Sequence, residues 1–179
     1  MVVNKEIWSA VKKHFTDFNE ITQAKVVGFA EHLDIEADDI NDISISDDEC
    51  TFEMHGGEYL ICTDEEADKK CKEEITQLLW AFNTDFIAGH VPKHINSSMI
   101  DACKGRYEDS NDDILELIKA GTGIDKFVEE AIAADGRGHN LDFYSGNEEE
   151  IQVDCAISNI CHTSKATISS REFYIYRRF

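Results

Sequence analysis

The segment from Asp42 to Glu66 leaves a folding chain little choice. It holds three short runs, DISIS, CTFEM and EYLIC, with alternating apolar residues, separated by Asp47-Asp48 and by His55-Gly56-Gly57. Alternation at period two puts apolar side chains on one face of a strand. Paired acidic residues and glycines tolerate the positive φ of tight turns, so the segment reads as a β-meander. Directly after it, Thr63 and Glu66 form an S/T-x-x-E capping box ahead of Ala67, Cys71, Ile75, Leu78, Leu79 and Phe82 at helical spacing. Asp64, Glu65 and Glu66 in the first turn also suit the helix dipole. A meander that runs straight into a helix predicts an α+β fold, an antiparallel sheet covered by helices.

The flanks agree. Ile7, Trp8, Val11, Phe15 and Phe18 recur at steps of three and four and predict a first helix; Ile21, Ala24, Val27 and Leu33 predict a second. Pro92, the only proline, falls in a loop after the capped helix. Further helices are expected at 98–104, 111–120 and 124–134, the last closed by Gly136, and strands at LDFY, IQVDCAI and EFYIYRRF. At 179 residues the chain is read as a single domain, 1–40 as its N-terminal helical part and 41–179 as its sheet and helices. A chain of this length buries roughly two-thirds of its unfolded surface. An apolar fraction of 42% with ten Phe and two Trp argues against disorder.

Charge is the strongest functional signal. There are 17 Lys+Arg against 37 Asp+Glu, a net charge of −20. Residues 26–68 contain no Lys or Arg, and a second such stretch runs from Asp142 to Asp154. By contrast, Lys165, Arg171, Arg177 and Arg178 make the tail basic. Direct binding of nucleic acid or of an anionic membrane requires a basic stripe, so both are read as absent. A field of uncompensated carboxylates is instead suited to a basic protein partner, and a carboxylate array can imitate the phosphate charge of duplex DNA. The expected contact residues are Glu31, Asp34, Glu36, Asp38, Asp39, Asp42, Asp47, Asp48 and Glu49. The bland alternative is a solvated face that serves solubility.

The other constellations are incomplete. ADGRGHNLDFYSGNEEE, 134–150, could present a Gly-Arg-Gly turn to an anion, with Asp135, Arg137, His139 and Glu148 as catalytic candidates for processing a phosphate ligand. A helix ending at Gly136 and a hairpin turn at Tyr144-Ser145-Gly146-Asn147 account for the same letters. His90 and His94 have a ligand-like spacing that Pro92 interrupts, and Asp109-Ser110-Asn111-Asp112-Asp113 begins like a calcium loop without its Gly and Glu. No metal and no cofactor is expected. Of the six cysteines, none belongs to a C-x-x-C pair; Cys161 and His162 are placed in a strand and its loop, and the cysteines are read as reduced core residues of a cytoplasmic protein. The N-terminus reads as an amphipathic helix with no apolar signal region.

GGEYLICTDEEAD, LLWAFNTDFI, ADGRGHNLDFYSGNEEEI and the terminal FYIYRRF together resemble a group of uncharacterised small proteins of tailed bacteriophages. In that group EYLVLTDEEAD leads into a helix ending in LWAFN, followed by a DGRGHFLSxYDGxExE loop and a YIYR end. The resemblance spans roughly residues 56–179, and Asn140 and Ser145 depart from the Phe and Asp of the group. The resemblance supplies a phage context and no mechanism; with the charge distribution, the expectation is an acidic accessory protein in the host cytosol that binds and inhibits a host protein, as a DNA mimic against a restriction or other defence system. The alternatives are a phosphate-processing enzyme built on the 135–150 loop and an assembly or scaffolding subunit.

Overall fold

The computed structural model describes residues 4–157 and 167–179, so Cys161, His162 and Lys165 lie outside the described residues. The fold is α+β, and the chain divides into two compact units. One comprises residues 1–67 and 142–179, the other 68–141.

The first unit is built on a five-stranded antiparallel sheet. Its strands are β1 (Ser44–Ile45), β2 (Thr51–Met54), β3 (Gly57–Cys62), β4 (Glu149–Ile157) and β5 (Thr167–Arg177), in the order β1-β2-β3-β5-β4. The meander forms as its pattern predicts, with Phe52 opposite Tyr59 and Met54 opposite Gly57. His55 and Gly56 form the two-residue turn, both with positive φ, 51° and 79°, which is the type I′ geometry matched to strand twist. The terminal strand β5 inserts between β3 and β4, placing Ile175 opposite Ile61 and Phe173 opposite Ile151.

Two helices, α1 (Lys5–His14) and α2 (Glu20–His32), contribute to the same core. Asn4 caps α1 through Ile7 N, and Asn19 caps α2 through Ile21 N and Thr22 N at 2.8 and 3.0 Å. The Trp8 indole donates to the Asp154 carbonyl of β4 at 3.1 Å. On α2 the apolar stripe is replaced by burial all round, continuous from Ala24 to Ala30, while Ile21 is exposed. Such a helix is a core element rather than a covering one. A Cβ on Gly28 would lie 2.8 Å from Val153 Cγ2, so the helix backbone rides directly on β4. Phe29 meets Phe52 and Tyr59 with ring centroids 5.6 and 5.2 Å apart. After Leu33, a short 3-10 helix at Ala37–Asp42 seats Ile40 in the core.

The second unit is helical. The capped helix α3 (Asp64–Gln77), which belongs to this unit from Asp68 on, ends before Leu78, and a 3-10 turn at Leu79–Ala81 carries the chain on. The helices α4 (Thr84–His90), α5 (Ser97–Lys104), α6 (Asn111–Ala120) and α7 (Ile124–Leu141) follow. Asn83 and Asn96 cap α4 and α5 through Asp85 N and Met99 N. Asn111 ties α6 to the end of α3 by donating to the Thr76 carbonyl at 2.7 Å, which gives the calcium-like run a structural use. Phe127 is packed by Phe82, Phe86 and His90 at centroid distances of 5.1, 5.0 and 4.9 Å.

Pro92 lies in a loop after the capped helix, as expected, and α4 at 84–90 comes before it. Two local expectations are corrected. The helix closed by Gly136 does break there, with φ 79° and ψ 163°, but helical geometry resumes to Leu141. LDFY is not a strand: Leu141 ends α7, and Asp142 opens a turn through which the chain reaches β4.

Gly121 follows α6 where the chain passes the end of α4. A Cβ at this position would sit 2.0 Å from the His90 carbonyl oxygen and 2.7 Å from Val91 Cα, and backbone cannot swing aside as a side-chain tip can. Gly121→Ala should therefore destabilise the protein by about 2–3 kcal/mol, measured as a lower urea midpoint at unchanged slope. Wild-type stability would show that the 90–91 and 121 backbones move apart at little cost.

Candidate functional site

The nine carboxylates expected at a partner surface all lie in the first unit, but they divide by role. Glu31 lies in the last turn of α2, Asp34 follows the helix with φ 55°, and Glu36, Asp38, Asp39 and Asp42 flank or lie in the 3-10 helix. All six are exposed, as are Asp47 and Asp48. Glu31, Asp34, Glu36 and Asp38, with Glu6 of α1, line an open groove of about 780 Å³. Among the described residues, no Lys or Arg lies within ion-pair distance of these five groups. Partial burial raises the Glu31 carboxyl pKa, and the charge of Asp154 adds to that shift. A neighbouring concavity carries Lys5 and Lys13 beside Glu6 and Asp38 and marks the edge of the acidic face.

Asp48 and Glu49 have structural work. Asp48 Oδ1 accepts from Cys50 N and Thr51 N at 2.9 and 3.0 Å and holds the turn between β1 and β2. Glu49, half-buried with φ 54°, accepts from Asn19 Nδ2 at 3.0 Å and from Thr22 Oγ1 at the start of α2.

The four catalytic candidates fall in different units and surroundings. Arg137, with only 11% of its side chain exposed, is ion-paired with Asp68 at 3.0 Å, whereas Asp135 and His139 are exposed. Glu148 belongs to the other unit and accepts from the Tyr176 hydroxyl. His90 is buried and contacts Thr122 Oγ1 at 2.9 Å and Glu130 at 3.3 Å, burial holding its pKa below the ordinary value, while His94 is exposed.

Asp142 organises the turn that follows. Its Oδ1 accepts from the backbone N–H groups of Tyr144, Ser145 and Gly146, and its Oδ2 from Arg177 N at 2.9 Å. Burial alone would raise its pKa, but these four donors carry it below the ordinary carboxylate value. The Arg177 and Arg178 guanidiniums lie over the Tyr144 and Phe143 rings, 4.2 and 3.8 Å from the centroids. Two of the basic tail residues are thus engaged within the fold.

One cluster has no signature in the sequence. Lys25, fully buried on α2, donates to the Glu49 carbonyl at 2.9 Å, to Glu66 Oε2 at 2.8 Å and to Cys50 Sγ at 3.5 Å. Glu66 also closes the capping box by accepting from Thr63 N at 2.7 Å. Burial raises the Glu66 pKa, but Lys25 and Thr63 outweigh it and leave the group more acidic than usual. A Lys within an apolar helix was the only clue, and the residues it meets lie on other elements.

No protein-family model, curated protein or solved structure matches the chain. Among the described residues, no helix is long and apolar enough to cross a membrane.

Proposed function

We propose that this chain is an acidic binding protein whose carboxylate groove occupies a cationic site on a partner protein. The observation that carries this reading is the groove formed by Glu6, Glu31, Asp34, Glu36 and Asp38, without a Lys or Arg paired to these groups among the described residues. Carboxylates kept together in this way repel one another, and a partner presenting Arg or Lys relieves that repulsion. The phage-like sequence context directs the proposal to the host cytosol and to a DNA-binding enzyme of a restriction or other defence system. There the groove competes for the site that receives phosphates.

The test uses a variant that removes charge while sparing the structural Asp48 and Glu49: Glu31→Gln, Asp34→Asn, Glu36→Gln and Asp38→Asn together. Captured from nuclease-treated host lysate and then measured directly, the partner should bind wild type at low salt and be displaced by duplex DNA. Its affinity should fall at least about tenfold in the four-site variant and steeply with added salt, because exposed charge is screened within about 10 Å at 0.1 M ionic strength. Salt-insensitive binding, or equal affinity for the variant, would refute the assigned surface.

A further inference from the structure

Outside the acidic groove, the buried cluster on Lys25 contains two sulfurs that the binding function does not use. Cys50, just before β2, and Cys62, the last residue of β3, are 3% and 0% exposed. Ile61 N donates to the Cys50 carbonyl at 2.8 Å, which ties Cys50 to the end of β3. The two Sγ atoms and a Glu66 carboxylate oxygen all lie within 4.8 Å of one another. Lys25 Nζ donates to the Cys50 sulfur at 3.5 Å.

We propose that Cys50 and Cys62 form a peroxide-reactive dithiol, in which Cys50 attacks as the thiolate supported by Lys25 and Cys62 resolves the product to a disulfide. A cationic donor on the Cys50 sulfur favours negative charge there and leaves the neighbouring Cys62 as the protonated member. The neighbouring Cys62 thiol and Lys25 lower the Cys50 pKa despite burial, while the neighbouring Cys50 sulfur and burial raise that of Cys62. At Cys155, by contrast, burial dominates and the thiol pKa rises. The ammonium contacts both Glu66 Oε2, at 2.8 Å, and Cys50 Sγ, and brings a positive charge to the cluster. The Glu66 side chain, 36% exposed, is the member of the cluster that meets solvent.

In the first step the Cys50 thiolate attacks one peroxide oxygen and the O–O bond breaks. The departing hydroxide takes a proton from solvent, giving Cys50 sulfenic acid and water. Cys62 then attacks that sulfur, and its own proton leaves with the displaced hydroxide as a second water. The two sulfurs have lost two electrons, and one peroxide has been reduced to two waters.

The full chain should be treated with hydrogen peroxide and examined by intact mass and peptide mapping. The expected product is a loss of two hydrogens per chain, mapped to a Cys50–Cys62 disulfide and reversed by dithiothreitol. Cys62→Ser should stop at a dimedone-reactive sulfenic acid on Cys50, Cys50→Ser should leave Cys62 unoxidised, and Lys25→Met should slow Cys50 oxidation about tenfold. Circular dichroism of each variant separates loss of chemistry from loss of fold, and the wild-type mapping stands whether or not Lys25→Met folds. Three outcomes overturn the proposal: folded wild type with both thiols unoxidised, an oxygen-bridged Lys25–Cys50 product, or one equivalent of zinc ion, added alone, retained with both thiols protected from alkylation.

Discussion

Replacing Asp142 with Ala should remove about 3–4 kcal/mol of folding stability, lowering the urea midpoint while leaving the slope unchanged. The carboxylate is 7% exposed and accepts from four backbone N–H groups, those of Tyr144, Ser145, Gly146 and Arg177. An orphaned buried donor costs about 1–3 kcal/mol, but the full sum over four does not apply. Residues 143–147 are exposed, so water can replace part of what the loop donors lose, whereas Arg177 N lies in β5 and has less freedom. Asp142→Asn keeps the shape and one acceptor but turns an amide donor toward donors, and should cost about half as much. The pH dependence has a fixed sign. The folded pKa lies below the ordinary value, so this contribution is fully present above the unfolded pKa of about 3.9 and is lost as pH falls through the lower folded value. The stability gap between wild type and Asp142→Asn should therefore close in acid. A gap independent of pH between neutrality and strong acid would mean that Asp142 acts through packing and not through its charge.

What could be read from the letters was local. The meander, the Thr63–Glu66 box and helices α5 and α6 each carry their period, turn or cap within a dozen residues, and each forms close to the expected bounds. Helix α4 has seven residues, too few for a stripe, and its Asn83 cap shows only when the bond to Asp85 N is made. LDFY alternates over four letters, but the run contains a carboxylate whose best partners are N–H groups two to four residues on and one in the final strand. The acidic face was legible as charge, and the structure separates it into groove-lining groups and turn-holding groups. Asp48 and Asp47 are indistinguishable by composition, yet Asp48 accepts from two backbone donors and holds the turn. The Lys25 cluster joins residues 25, 50, 62 and 66, spacings that match no motif and become neighbours only through strand pairing and the docking of α2.

Lys25→Ala should cost about 4 kcal/mol, and Lys25→Met only about 1–2 kcal/mol. The stem of Lys25 is surrounded on α2, and the ammonium spends its three N–H donors on Glu49, Cys50 and Glu66. Truncation to Ala leaves a cavity and three acceptors without their donor, whereas Met refills the space and loses only the polar part. The Glu66 side chain is 36% exposed and still accepts from Thr63 N, so it can turn to water at modest cost, which keeps the Met variant stable. Glu66 titrates below the ordinary carboxylate value, and its contribution is present above an unfolded pKa of about 4.3 and lost as pH falls through the folded one. Without Lys25 the acid limb of the stability curve should become shallower. Lys25 also lowers the Cys50 pKa, so in Lys25→Met that thiol should ionise at higher pH, as read from thiolate absorbance. Adding Glu66→Gln to wild type and to Lys25→Met closes a double-mutant cycle whose expected coupling is about 1–2 kcal/mol. A coupling near zero would mean that the Glu49 carbonyl and the Cys50 sulfur hold the ammonium, and that Glu66 serves the helix cap alone.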